Sequence, residues 1–301
     1  MRAGSILLVC IIIILGLITT ISRTLDEAWS TPGNYPTEGY VIDHQTYQWT
    51  QEITQEVQGM ELAIIKTVNG TIHFHPQSGG GEPRLEAKAV IRIKPSWFST
   101  EEKVLRTKSA VGVIVEQDND SITLRAVFPK WRFGGSRENV SVDFEVTAPP
   151  SLNLRCETVN GTVSAEATEG NAHLSTVNGS VKVKQCRGAI DASCVNGRIE
   201  IEDAEQRVKA HTTNGSIQAV FMKLPEEKTE FHTVNGSIAI ACPFPAAFDA
   251  DFQTVNGRVD LGSQAIEGTV KKNSAKGKVN GGGPAVEAHT VNGGIKLTEH
   301  K

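Results

Sequence analysis

The sequence is short of most things that announce an activity. Aromatic residues make up 6% of its 301 positions, and only five cysteines are present. Cysteines this few, at irregular spacing, do not lay out a disulfide framework. Neither sign of charge dominates: 30 Lys and Arg against 34 Asp and Glu leave a net −4, which gives no electrostatic footing for nucleic acid. No catalytic constellation stands out. What is present is a hydrophobic content of 39%, ample for one sizeable core, and one long apolar run, Ile6–Ile21, interrupted only by Gly16, Thr19 and Thr20. Arg2 precedes the run and Arg23 follows it. Thr20-Ile21-Ser22 is a poor cleavage site, and Cys10 lies inside the run, too early for lipidation. Either a signal peptide or a short membrane anchor fits; the favoured reading is an uncleaved transmembrane helix over residues 1–24, with its amino end cytoplasmic and everything after Arg23 exported.

The second half of the chain repeats itself. A phrase of Thr, Val, Asn and Gly ends at Gly161, Gly179, Gly197, Gly215, Gly236, Gly257, at a worn copy Ser274-Ala275-Lys276-Gly277, and at Gly293. From glycine to glycine the steps are 18, 18, 18, 21, 21, 20 and 16 residues. An outlying copy, Thr67-Val68-Asn69-Gly70, stands upstream. Fixed periods of this length mean coils stacked into a solenoid. Seven and five residues before each glycine, and two and four after it, the positions are mainly small or β-branched: Leu154, Cys156, Val163 and Ala165 in one copy, Ile190, Ala192, Ile199 and Ile201 in another. The positions between are polar. That alternation marks two short strands, each with one buried face, on either side of an Asn-Gly corner.

A lone Asn-Gly of this kind signals an antiparallel hairpin. The regular spacing points instead to parallel stacking at about 4.8 Å per coil, a rod of about 40 Å. The asparagines Asn160, Asn178, Asn196, Asn214, Asn235, Asn256 and Asn292, each followed by its glycine, then form an amide ladder along one axis. The fold class that follows is all-β: a single-stranded right-handed parallel β-solenoid of about eight coils over residues 151–301. Pro225, Pro243, Pro245 and Phe248 fall at the second corner of the longer coils, where Gly170 and Gly188 turn the shorter ones. Lys272, Lys276 and Gly281–Pro284 predict an irregular seventh copy.

Upstream, residues 25–45 read as a linker, and residues 46–150 hold the outlying coil and a block of longer strands. Tyr47 and Trp49 are candidates for an apolar face in a strand from Thr46 to Val57. Further strands are expected at Leu85–Ile93, Val111–Glu116, Ile122–Phe128 and Val140–Val146, with a turn at Asp118-Asn119-Asp120. This antiparallel block is expected to cover the first end of the solenoid. The far end shows no comparable cap, so it offers a place for a second copy or a partner to dock. Cys156, Cys186, Cys194 and Cys242 read as small apolar residues rather than bridges. Of seven Asn-x-Ser/Thr triplets, five lie in the repeat phrase or its outlier, where a ladder is expected to bury the asparagine.

The repeat, the strand Phe144–Pro149 before it and the coil at Thr67–Ile72 resemble the DUF4097 family of candidate adhesins over roughly Tyr47 to Lys301. The resemblance implies an exported or membrane-anchored β-solenoid, mostly bacterial, and supplies no catalytic residues and no cofactor.

Three places invite chemistry. His211 and His232 align in neighbouring coils, about 5 Å apart, as a surface metal pair or as two solvated side chains. The stretch Trp131-Arg132-Phe133 interleaves aromatic and basic groups, suited to a sugar or an anionic headgroup, or simply to packing. The outward acids are single and interleaved with bases, unlike the converging carboxylates of a polysaccharide-cleaving solenoid. The function expected is therefore non-enzymatic: a membrane-tethered, extracytoplasmic binding scaffold for a surface glycan or an envelope protein. The alternatives are an envelope sensory or regulatory partner domain and a carbohydrate-active enzyme.

Overall fold

The computed structural model describes residues 38–43, 46–79, 81–95, 101–129 and 139–300. The apolar run Ile6–Ile21 lies outside these residues; among those described, no helix is long and apolar enough to cross a membrane.

Among the described residues nearly every element is a strand, and the strands form two sheets of twelve. One sheet collects the strands that lead into the Asn-Gly corners: Leu62–Lys66, Asn153–Glu157, Ala172–Asn178, Ile190–Asn196, Val208–Asn214, Thr229–Asn235, Ala285–Asn292 and Phe248–Asn256. The other collects the strands that leave them, from Ile72–Pro76 and Val163–Glu166 through Ile238–Cys242 to Ile295–Glu299 and Val259–Asp260. Like pairs with like in parallel, as Ile190 with Val208 and Asn196 with Asn214. The inward columns fill one continuous core between the sheets. The antiparallel-hairpin alternative is thus excluded for these corners.

The block before residue 150 does not make a separate sheet. It lengthens both. Thr46–Glu56, Arg84–Lys94 and Asn139–Ala148 pair antiparallel, and the last of them joins Ile72–Pro76 in parallel. The hairpin Gly112–Gln117 and Ser121–Val127 extends the other sheet beside Leu62–Lys66. Trp49 is buried, as its spacing predicted. A helix, Glu101–Ala110, was not foreseen; it buries Val104 and Thr107, and Lys108 Nζ lies 5.6 Å from the centre of the Trp49 ring. With Leu105 53% exposed, its sequence carries too little apolar periodicity to be read as a helix.

The order of the coils departs from the order of the chain. The last coil, Ala285–Glu299, does not end the stack. It lies between the coils of Asn235 and Asn256, pairing with Thr229–Asn235 on one side and Phe248–Asn256 on the other. Side-chain volume gives the reason. Five residues before the glycine, Phe231 and Phe252 both point into the narrow core, and Ala288 sits between them. Two adjacent phenyl rings in that column would overfill it.

The worn copy is not a coil at all. Ile266–Lys271 and Ser274–Val279 form an antiparallel hairpin laid against Phe248–Asn256. Lys272, expected inward, is in the exposed hairpin turn, and Lys276 reaches Asp251 at 2.9 Å. The turn carbonyls of Asn273 and Lys272 accept bonds from Thr254 N and Val259 N at 2.9 Å each, which is what a further coil does elsewhere. The far end therefore carries a hairpin, contrary to expectation, and the chain's last coil does not stand at the end of the stack.

Candidate functional site

Each letter of the repeat phrase has a separate duty. The asparagine amides form one unbroken row. Nδ2 of Asn160, Asn178, Asn196, Asn214, Asn235, Asn292 and Asn256 donates in turn to Oδ1 of Asn69, Asn160, Asn178, Asn196, Asn214, Asn235 and Asn292, at 2.6–2.9 Å. The outlying Asn69 is thus the first rung. The row runs along an exposed corner, not a buried one as expected; each of these seven amide nitrogens is nevertheless occupied by its neighbour.

The threonines form a second row that the spacing did not reveal. Thr158, Thr176, Thr212, Thr233, Thr290 and Thr254 donate through Oγ1 to the carbonyl of the neighbouring coil's glycine at 2.8–3.2 Å, and Cys194 Sγ takes the same role at 3.1 Å. The glycine itself is required by contact. A Cβ at Gly215 would stand 1.8 Å from the Gly197 carbonyl oxygen. Gly170 and Gly188 are likewise sites of close approach; the second corner bends at Ala167, Gln185 and Asp203, whose φ values are 49°, 52° and 57°.

One column on the outer face carries titratable groups of a different kind. His211 and His232 stack with ring centroids 5.1 Å apart and planes 19° from parallel. Because the last coil is interposed, His289 comes next, its centroid 5.0 Å from that of His232. His232 and His289 are 6% and 3% exposed and His211 is half-buried, so the reading of two solvated histidines fails for His232. His211 Nδ1, His232 Nδ1 and His289 Nε2 are buried without a hydrogen-bond partner. His289 Nε2 lies 3.6 Å from Asp251. Two residues back along these strands, Glu230, Glu287 and Asp251 are neighbours, not interleaved with bases as chain order suggested. Lys228 bridges Glu230 and Glu287 at 2.8 and 3.0 Å.

Electrostatics favour the neutral form at these imidazoles and the charged form at Glu230 and Asp251. Burial, then the adjacent His211 and His289, holds His232 down to about 3. Burial also lowers His211 and His289, with Asp191 and Asp251 respectively opposing it. Burial raises Glu230 and Asp251, but the Lys228 and Lys276 contacts outweigh it and both end below the usual carboxylate range. Face-to-face rings about 5 Å apart do not aim their lone pairs at one point, as a tetrahedral metal with nitrogen ligands at about 2.0 Å requires. Among the described residues no group of three or more His, Cys, Asp or Glu is placed to hold a metal ion.

Among the described residues the surface elsewhere includes two open depressions of about 310 Å³ each. One is polar, with Arg187 between Glu169 and Glu205. The other is lined by Met222, Leu224, Pro243, Pro245 and Ala246. Trp131, Arg132 and Phe133 lie outside the described residues.

Residues 143–298 match the family model Toastrack DUF4097. The chain belongs to the DUF4097 family. Solved structures that this DUF4097 protein is distantly similar to include the following three. A candidate cell adhesion protein from Clostridium sporogenes is 10% identical, with a TM-score of 0.32 over 84% of this chain and 100% of that one. A candidate adhesin from Bacteroides fragilis is 13% identical, with a TM-score of 0.37 over 83% and 97%. Another from Parabacteroides merdae is 11% identical, with a TM-score of 0.29 over 84% and 96%. Likenesses this remote decide nothing about binding. No curated protein matches the chain.

Proposed function

We propose that this DUF4097 protein is a non-enzymatic binding scaffold, membrane-tethered through Ile6–Ile21 and displayed outside the cytoplasm of a bacterium. Its coil is right-handed, the sense that crossovers between twisted parallel strands take. The observation that carries the reading is the unbroken asparagine row. With every coil pinned to the next at 2.6–2.9 Å, the outward side chains stand on a fixed grid. A preformed grid binds a repetitive ligand such as a surface glycan, or an envelope protein, at small cost in ordering. Trp131, Arg132 and Phe133 add stacking and charge to such a contact. Capture of envelope glycans and proteins by the full chain in detergent tests this. Retention of glycans that drops several-fold in Trp131→Ala supports the scaffold and its contact stretch; selective capture of a membrane regulator favours the sensory alternative; turnover of a polysaccharide overturns the non-enzymatic reading.

A further inference from the structure

Both sheets stop on the hairpin side of the Asn256 coil. In one the last strand is Val259–Asp260, two residues long and too short to recruit another. In the other it is Ile266–Lys271, paired among the described residues on one side only, to Ser274–Val279. Glu267 through Lys271 are all exposed. Val270 is 57% exposed although it lies opposite the fully buried Ala275, on the face that continues the core. The hairpin turn is fixed to the Asn256 coil by its two carbonyls, so the free edge has a set position. An edge of this kind presents unpaired backbone groups to a further strand.

The residues of the edge choose that strand. Glu267 stands two before Thr269 and Lys271 two after it; Gly268 and Val270 flank it. Two copies of the strand, laid antiparallel with Thr269 opposite Thr269, place Glu267 of each opposite Lys271 of the other on the outer face. On the inner face they place each Val270 opposite a Gly268, where no Cβ competes for space. Residues opposed across an antiparallel ladder share a face, so the alternation is kept. Parallel addition in register sets Glu267 on Glu267 and Lys271 on Lys271, which repel.

We propose that Ile266–Lys271 is a homodimerisation edge, pairing antiparallel with the same strand of a second copy about a two-fold axis at Thr269. The long sheet then runs through both molecules. Opposed Cα atoms in such a pair are about 4.5–5.5 Å apart, within reach of a disulfide. The test uses the full chain in detergent with Cys10→Ser, the cysteines Cys156, Cys186, Cys194 and Cys242 being buried. Mild oxidation of Thr269→Cys yields a covalent dimer, and of Lys223→Cys, on an exposed loop elsewhere, does not. In sedimentation equilibrium, Glu267→Lys and Lys271→Glu each raise the dimer dissociation constant by about tenfold, and the double reversal restores it to within about threefold. A chain monomeric at high micromolar concentration overturns the proposal. So does a Thr269→Cys yield no greater than that of Lys223→Cys, and so does a dimer that neither single reversal weakens or that the double reversal fails to restore.

Discussion

At the scale of single residues, the repeat phrase divides its work so that substitutions at neighbouring letters have different costs. Asn214 donates to Asn196 and accepts from Asn235, each at 2.8 Å, whereas Asn256 at the end of the row donates only, to Asn292. Asn214→Ala is expected to lower stability by about 1 kcal/mol and Asn256→Ala by roughly half as much, read as urea midpoints at constant slope. Gly215→Ala forces two coils apart, because its Cβ would meet the Gly197 carbonyl at 1.8 Å. A loss of about 3 kcal/mol or more is expected, with the near-ultraviolet spectrum already altered without denaturant. The histidines add a pH dependence with a defined sign. His232 titrates near 6.5 unfolded and about 3 folded, so the unfolded chain binds the proton first. Its contribution is fully present above about pH 6.5 and is lost as pH falls toward 3. By pH 5 the loss from this residue is about 2 kcal/mol, before the lowered carboxylates Asp191, Glu230 and Asp251 begin to titrate. The urea midpoint should fall between pH 6.5 and 5, and the fall should be shallower in His232→Gln but not absent, because His211 and His289 are lowered as well. An unchanged slope in that variant would place the titration elsewhere.

At the scale of elements, the crowded column around Ala288 governs which coil sits beside which. Ala288→Phe puts three phenyl rings in succession with Phe231 and Phe252, and about 2 kcal/mol of destabilisation or more is expected by calorimetry. Ala210→Phe, beside Phe231 alone, should cost less. Much of this level was legible in the sequence. Period-two alternation, eighteen-residue spacing and the asparagine phrase together specified parallel coils, since only a stacked solenoid satisfies all three. The strands upstream and the buried Trp49 followed from the same alternation. Coil order did not, because every coil presents the same columns and pairing by column cannot tell the fifth neighbour from the last. The signals were Phe231 and Phe252 in adjacent copies and the loss of asparagine at Lys276, both of which fit a broken succession. The site suffered from the same cause. His211 and His232 were found from alignment, but His289, Glu287 and Asp251 join them only through the interposed coil. The threonine row was missed because a hydroxyl on a buried face reads as packing until the glycine carbonyl beside it is seen.

At the scale of the whole molecule, one core runs unbroken from Trp49 to Leu297 and both its ends carry antiparallel hairpins. Removing residues 285–301 takes a coil out of the middle rather than trimming an end. The Asn256 coil and its hairpin lose their seat, and limited proteolysis is expected to cut residues 243–284 rapidly while leaving the preceding coils intact. Protection of that segment in the shortened chain would mean that the Asn256 coil can close directly on the Asn235 coil. The interposed coil also sets a timetable. A ribosome delivers the chain from its amino end, and each rib can settle on the one before it as far as Asn235. There the wall must wait. The segment that emerges next belongs one place further on, and the gap is closed only by a strand made some fifty residues later, so that later strand is the keystone of the wall and not its coping.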